Sequence, residues 1–120
     1  MNPVFVDHFR NPRHLGRLDA PDVEVEVSNP VCGDELRLGL GVAEGRIREV
    51  AFQARGCAGA IAAASALCEL VAGAPLASAR SVDRDTVDQA LGGLPALKRH
   101  GADLAASGLS RALAALEEDA

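Results

Sequence analysis

A change of hydrophobic period at Cys57 constrains the fold of this chain more than any other feature of its sequence. Before Cys57, apolar and polar residues alternate in three runs, over residues 23–28, 36–42 and 46–54. Alternation with a period of two is typical of half-buried β-strands, and the short connections between the runs predict an antiparallel meander. Ile47 is out of phase with the rest of its run, which predicts a β-bulge or a strand end at that residue.

The residues after Cys57 follow the spacing of an α-helix instead. Ile61, Ala64, Cys68 and Val71 recur at intervals of three, four and three residues, so they share one helical face. A helix is therefore predicted over residues 57–72, with Gly73 just past its end.

Three more helices are predicted, over residues 3–10, 83–91 and 98–117. Asp83 or Asp85 is available as the N-cap of the second of them. Helices that follow a three-stranded meander and cover one face of its sheet give an α+β fold. The candidate core residues are Val25, Leu38, Val50, Leu67, Leu109 and Leu113.

Composition excludes several classes of protein. The chain has 120 residues, the usual size of one domain, so residues 1–120 are predicted to form a single domain. Its formal charge is −5 and it has no Tyr or Trp, which argues against a nucleic-acid surface.

Three cysteines leave one over in any disulfide framework, so a cytoplasmic location is predicted. Residues 56–79 carry only one charge, Glu69, but that charge and Pro75 argue against a membrane span.

Two cysteines lie in connections where metal or thiol chemistry is expected. Cys32 lies between the first two strands and Cys57 between the third strand and the long helix, each next to a glycine. At a helix N-terminus, as predicted for Cys57, the helix dipole and free N–H groups favour a thiolate. The alternative is that both are ordinary buried thiols, because free Cys is among the most buried residue types.

Asp34 and His100 complete a candidate ligand set. Asp34 lies two residues after Cys32 and in an extended chain faces the same way, although a turn-capping role is the alternative. His100 lies at the start of the last helix. Together Cys32, Asp34, Cys57 and His100 offer sulfur, oxygen and nitrogen, a mixture that suits zinc or iron better than calcium or magnesium.

The remaining cysteine and histidines are predicted to be structural. Cys68 lies eleven residues after Cys57 on the same helix, about 16 Å away. It is too distant to share an ion with Cys57, and we assign it to the core. His8 and His14 are interpreted as surface groups or as hydrogen-bonded structural partners.

Several motifs in the same order resemble the IscU/NifU-type iron–sulfur cluster assembly scaffolds. The family's opening motif is similar to residues 6–16, its first ligand loop to Val31-Cys32-Gly33-Asp34 and its second to residues 56–65. Its LPPVK segment is similar to Leu94-Pro95-Ala96-Leu97-Lys98, and His100 falls on the family's histidine. The resemblance covers nearly the whole chain.

The resemblance implies a scaffold and carrier rather than an enzyme. Such a protein receives sulfur from a cysteine desulfurase, binds iron or a 2Fe–2S cluster, and passes it to acceptor apo-proteins. The family's counterpart of residues 94–98 is bound by an Hsp70-type chaperone, which is therefore an expected partner. The resemblance also assigns the ligand positions to Cys32, Asp34, Cys57 and His100.

The chain departs from the family pattern at one ligand. The family's third cysteine directly follows the histidine, and here that position is Gly101. The resemblance therefore predicts a gap in the ligand set at Gly101. The alternative function is that of a zinc-binding paralogue of the same fold, which acts in sulfur relay or regulation and assembles no cluster.

Overall fold

The computed structural model describes residues 2–30, 33–95 and 99–118. In this part of the chain a short helix precedes three strands, and four helices follow them. The elements are α1 Pro3–Arg10, β1 Val23–Ser28, β2 Glu35–Ala43, β3 Arg46–Arg55, α2 Ala58–Val71, α3 Leu76–Ala79, α4 Arg84–Ala90 and α5 Arg99–Glu118.

The three strands form an antiparallel sheet in the order β1-β2-β3, which confirms the predicted meander. Gly41 pairs with Glu49 whereas Val42 pairs with Ile47, so Arg48 is an extra residue on β3. This bulge explains why Ile47 is out of phase in the sequence, and it lets Ile47 be completely buried.

Helices α2 and α5 cover one face of the sheet. That face carries Leu38, which pairs with Val25 on one side and with Phe52 on the other. Five of the predicted core residues are buried: Leu38, Val50, Leu67, Leu109 and Leu113. The assignment of Val25 to the core was wrong in degree, because this residue is only partly buried. Val23 and Val27 lie on the same strand and the same face and are buried, so the partial exposure is local to Val25.

The chain before β1 covers part of the opposite face. The Phe52 N–H donates to the His14 carbonyl at 2.9 Å, and the Gly16 N–H donates to the Phe52 carbonyl at 2.8 Å, so residues 14–16 run beside β3. Leu18 and Pro21 then pass over Gly39, where an added Cβ would lie 3.7 Å from each of them. This pairing fixes the path of the chain from α1 to the sheet.

Helix α1 is held against α2 by a buried polar contact. The His8 Nδ1 lies 2.8 Å from the Ser65 Oγ, and the Arg13 N–H donates to the same oxygen at 2.8 Å. His8 and Ser65 are both buried. Desolvation by burial lowers the pKa of His8, and the positive charge of Arg13 adds to this effect. His8 is therefore a hydrogen-bonded structural histidine, one of the two roles predicted for it.

The helices between α2 and α5 follow the sequence prediction in part. Asp83 is the N-cap of α4, and its carboxylate accepts a hydrogen bond from the Thr86 backbone N–H at 2.9 Å. In return, the Asp83 backbone N–H donates to the Thr86 Oγ1 at 3.3 Å. The one-turn helix α3 was not predicted.

No helix among residues 2–30, 33–95 and 99–118 is both long enough and apolar enough to span a membrane.

Candidate metal centre

Three of the four predicted ligands come together at one end of the sheet. Asp34 directly precedes β2, Cys57 is the N-cap of α2, and His100 lies in the first turn of α5. Each offers a ligand atom, and these three atoms lie within 4.8 Å of one another. The fourth predicted ligand, Cys32, lies outside the described residues, two positions before Asp34 in the sequence. The donors thus come from three separate parts of the chain.

Asp34 joins the β1–β2 connection to the start of α2. Its Oδ1 accepts the Cys57 backbone N–H at 3.0 Å, and its Oδ2 accepts a hydrogen bond from the Cys57 Sγ at 3.3 Å. Asp34 is only 2% exposed, whereas its partner Cys57 is partly buried. The sequence left a turn-capping role and a site role open for Asp34, and both side-chain bonds described here go to Cys57, 23 residues away in the chain.

Gly56 makes the approach of Asp34 possible. A Cβ at this position would lie 2.0 Å from the Asp34 Oδ1, and Gly56 has a φ of +140°, in a region that side chains rarely adopt. Only glycine satisfies both conditions. The glycine before Cys57 is therefore required by the contact between two candidate ligands.

Two helix N-termini face the candidate centre. Helix α2 begins directly after Cys57, and α5 begins at Arg99, one residue before His100. The N-terminus of a helix carries partial positive charge and N–H groups without partners inside the helix. This partial positive charge favours the thiolate form of a cysteine at the N-cap.

Cys68 takes no part in this cluster, as predicted. Its side chain has no exposed surface, and it packs within the hydrophobic core. Burial raises the pKa of the Cys68 thiol to about 12. Cys57, by contrast, is a free thiol that is only partly buried.

Gly101 supplies no ligand, and the structure shows what lies beside it. Gly101 is buried, and a Cβ built on it would lie 2.5 Å from the Gly59 carbonyl oxygen and 2.9 Å from the Ala60 nitrogen. The backbone of α2 therefore occupies the place where a side chain at position 101 would begin. The sequence shows which side chain is missing, but it does not show that another part of the backbone fills the space.

The other two histidines lie elsewhere. His8 is in the contact between α1 and α2, and its ring is bonded to Ser65. His14 is exposed beside β3 and has a φ of 63°. The group of metal-binding side chains found among the described residues includes neither of them.

The donors at the centre fit iron or zinc. A thiol sulfur, an imidazole nitrogen and a carboxylate oxygen are the ligand types of tetrahedral zinc and of iron sites, whereas Ca²⁺ and Mg²⁺ prefer oxygen alone. A second thiol from Cys32, which neighbours Asp34 in the sequence, would complete four donors. The centre lies where strands and helices end, so a bound group has a route to the surface.

Comparison with known proteins gives consistent results. The profile of the family described as "NifU-like N terminal domain" matches residues 1–119. The iron-sulfur cluster assembly scaffold protein IscU 1 of Archaeoglobus fulgidus is 44% identical over 107 residues, which are 89% of this chain and 70% of that protein. The scaffold protein IscU of Azotobacter vinelandii is 37% identical over 112 residues, or 90% of this chain and 87% of that protein. The crystal structure of a NifU-like N-terminal protein from Brucella abortus has a TM-score of 0.80 and covers 99% of this chain and 95% of its own, at 21% identity, which shows a common fold.

Proposed function

This chain belongs to the family of NifU-like N-terminal domains, and on that premise we propose that it is an iron–sulfur cluster assembly scaffold. The observation that carries the proposal is the convergence of Asp34, Cys57 and His100 to within 4.8 Å. These are three of the positions that the sequence assigns to metal binding. The relatives named as scaffolds cover most of the chain, which supports the same role.

In this role the chain binds iron or a 2Fe–2S cluster as cargo. The Cys57 and Cys32 thiolates, the Asp34 carboxylate and the His100 imidazole are the proposed ligands. Cysteine must lose its proton to bind metal. The Cys57 Sγ must therefore exchange its hydrogen bond with Asp34 for a bond to iron. The positive ends of α2 and α5 then stabilise the anionic sulfur atoms of the cargo.

A scaffold of this kind is a carrier and not an enzyme. Ligands of mixed type at the ends of structural elements suit a cargo that has to leave. The proposed partners are a cysteine desulfurase that supplies sulfur and acceptor apo-proteins that receive the cluster. We assign residues 1–120 to one scaffold domain, and a cytoplasmic location to the protein because an odd number of cysteines suits a reducing compartment.

An Hsp70-type chaperone is a further proposed partner, through residues 94–98. Leu94 is 5% exposed, and its backbone N–H donates to Asp88 at 2.6 Å, whereas Pro95 is exposed. Ala96, Leu97 and Lys98 lie outside the described residues. The proposal for this partner rests on the sequence resemblance of the segment.

Anaerobic reconstitution tests the scaffold role. The protein is incubated with Fe³⁺ and sulfide, desalted, and analysed for iron, labile sulfide and visible absorbance. The wild-type protein and Cys68→Ala should become coloured and retain iron and sulfide, whereas Cys57→Ser should lose most of both. Cys68→Ala is the matched control, because it removes a thiol from the same helix outside the centre. A colourless wild-type protein that binds zinc and no iron would instead support the zinc-binding alternative.

A further inference from the structure

A contact between two helix backbones lies directly beside the candidate ligands. Gly59 lies two residues after Cys57, in the first turn of α2, and Gly101 directly follows His100, in the first turn of α5. We propose that Gly101 is a positioning residue: its missing side chain lets α5 rest on α2 and so brings His100 to Cys57 and Asp34. The inference rests on the proposed function, because it concerns the same centre.

The contact leaves no space for a side chain at Gly101. An added Cβ would lie 2.5 Å from the Gly59 carbonyl oxygen, 2.6 Å from the Gly59 carbonyl carbon and 2.9 Å from the Ala60 nitrogen. All three are backbone atoms of α2, which cannot rotate away as the end of a side chain can. To reach an ordinary contact distance of 3.4 Å, the two helices would have to separate by about 1 Å.

A separation of this size matters at a metal centre. Bonds to a metal tolerate deviations of about 0.2 Å, whereas the shift forced at Gly101 is about 1 Å by the distances above. Because His100 is the residue next to Gly101, the shift would carry its imidazole away from Cys57. Outer groups that orient a metal ligand commonly contribute about 10- to 100-fold to metal affinity.

A second glycine of α5 provides the comparison. An added Cβ at Gly108 would lie 3.0 Å from the Leu36 Cδ2, the end of a flexible side chain, and 3.5 Å from the Val27 Cγ2. Leu36 can adjust where the α2 backbone cannot. Gly108→Ala therefore makes the same chemical change in the same helix without moving the helix start.

The same contact excludes a third thiolate from position 101. A cysteine there would bring its Cβ to 2.5 Å from the Gly59 carbonyl oxygen unless the two helices separated. Among the described residues the candidate donors are therefore Asp34, Cys57 and His100, and the present packing leaves no room for a sulfur atom at the position after the histidine.

Cobalt(II) is the probe that separates positioning from simple absence of a ligand. Co²⁺ takes up the sites of Zn²⁺, and its visible bands report the coordination geometry, whereas the near-ultraviolet charge-transfer band reports thiolate ligands. Wild type, Gly101→Ala, Gly101→Cys and Gly108→Ala are titrated with Co²⁺ under anaerobic conditions. Circular dichroism of the metal-free variants shows which of them are folded.

We expect Gly101→Ala to bind Co²⁺ at least about tenfold more weakly than wild type and with altered visible bands. Gly108→Ala should behave as wild type does. Gly101→Cys should resemble Gly101→Ala and show no additional charge-transfer intensity. In a His100→Ala background, Gly101→Ala should cause little further loss, because a residue that acts through His100 has no effect once the imidazole is gone.

Other outcomes overturn the inference. Higher Co²⁺ affinity and stronger charge transfer in Gly101→Cys, with Gly101→Ala unchanged, would show that position 101 is a vacant ligand site. A wild-type protein that binds no Co²⁺ would contradict the proposed function and this inference together. If wild type binds but folded Gly101→Ala binds equally well, the inference alone fails.

One measurement does not depend on the folding of a Gly101 variant. In proton NMR of the Co²⁺-loaded wild type, the imidazole N–H of a bound histidine gives a hyperfine-shifted, exchangeable signal. This signal should be present in wild type and absent in His100→Ala. Its absence from the loaded wild type would show that His100 is not a ligand, which removes the group that Gly101 is proposed to position.

Discussion

The start and the middle of helix α2 each carry a cysteine, and their surroundings differ completely. Cys57 is the N-cap, partly exposed, with its backbone N–H and its sulfur both bonded to Asp34. Cys68 lies within the helix and is fully buried in the apolar core. The comparison shows that position on the helix, and not residue type, gives a cysteine access to metal or substrate.

The two regions also use buried polar groups differently. At the helix start, the buried Asp34 contacts a thiol that can exchange its hydrogen bond for a metal. In the middle of the helix, Ser65 lies 2.8 Å from the His8 Nδ1, and the His8 Nε2 lies 3.9 Å from Glu69. This serine, histidine and glutamate have the residue types of a hydrolase triad, but Ser65 has no exposed surface and also accepts the Arg13 N–H. The group joins α1 to α2 and has no access to a substrate.

The reactivity of the two thiols should show the largest difference between these regions. In native metal-free protein, iodoacetamide should alkylate Cys57 at least about 1,000-fold faster than Cys68, because a buried thiol reacts only when the protein opens. Burial also raises the pKa of Cys68 to about 12, so little thiolate forms there at neutral pH.

Tandem mass spectrometry locates the label within residues 56–80, the peptide that trypsin releases with both cysteines. In urea the two rates should become similar, which serves as the control. Equal rates in the native protein would contradict the assignment of Cys68 to the core.

Glycine substitutions at the two ends of α2 should show the next largest difference. Gly56→Ala should lower the free energy of unfolding by about 3 kcal/mol, because it adds both backbone strain and a clash with Asp34. Gly73 follows the other end of α2 with a φ of +77° and has nothing within 4 Å of an added Cβ. Gly73→Ala should therefore cost only about 1 kcal/mol.

Urea denaturation measures both changes. Equal losses in the two variants would show that the approach of Asp34 to Gly56 does not contribute to stability. Metal affinity provides a second readout, since only Gly56→Ala displaces a candidate ligand.

Much of the fold follows from local patterns in the sequence. Alternation predicts the strands, and Asp83 predicts the start of α4, because each pattern depends on residues close together in the chain. The helix α3, Leu76–Ala79, was missed since four residues are too few to display a helical period. The partial exposure of Val25 between the buried Val23 and Val27 could not be predicted, because the alternation treats the three residues alike.

The candidate site was predictable in its residues but not in its contacts. Spacing and residue type made Asp34, Cys57 and His100 candidates, the resemblance to the family assigned them as ligands, and the structure brings their ligand atoms within 4.8 Å of one another. The bonds from Cys57 to Asp34 join parts of the chain 23 residues apart, and no local pattern indicates them. The sequence shows that position 101 supplies no ligand, but it does not show that the α2 backbone lies against this glycine.

Removal of the Cys68 thiol should have a smaller effect than the glycine substitutions at Gly56. Cys68→Ala should cost about 1 kcal/mol or somewhat more, because it leaves a small cavity in the core. Metal content should not change, as Cys68 lies outside the ligand cluster. Urea denaturation and metal analysis check these two expectations. A loss of metal with the fold intact would show that the middle of α2 contributes to the site after all.

The smallest expected effect is a change in pH dependence at the contact between α1 and α2. Burial lowers the pKa of His8, and Arg13 lowers it further, while the carboxylates of Glu69 and Asp7 act in the opposite direction. Below the ordinary histidine pKa of about 6.5, the unfolded chain therefore binds a proton that the folded chain does not. The free energy of unfolding should be fully retained above that pH and should fall as the pH drops toward the lowered pKa of His8.

His8→Asn tests this dependence, because the asparagine amide keeps a hydrogen-bonding group near the position of Nδ1 and does not titrate. Urea denaturation at pH 7.5 and pH 5.5, values chosen on either side of about 6.5, should show a smaller loss of stability in the variant than in wild type. His14 and His100 are present in both proteins, so their contributions cancel in the difference. Equal losses would mean that protonated His8 is accommodated beside Ser65, as Glu69 would allow if it moved closer than its present 3.9 Å. The contact in the middle of α2 would then tolerate a change of protonation at His8, just as the start of α2 is proposed to exchange the Cys57–Asp34 hydrogen bond for a metal.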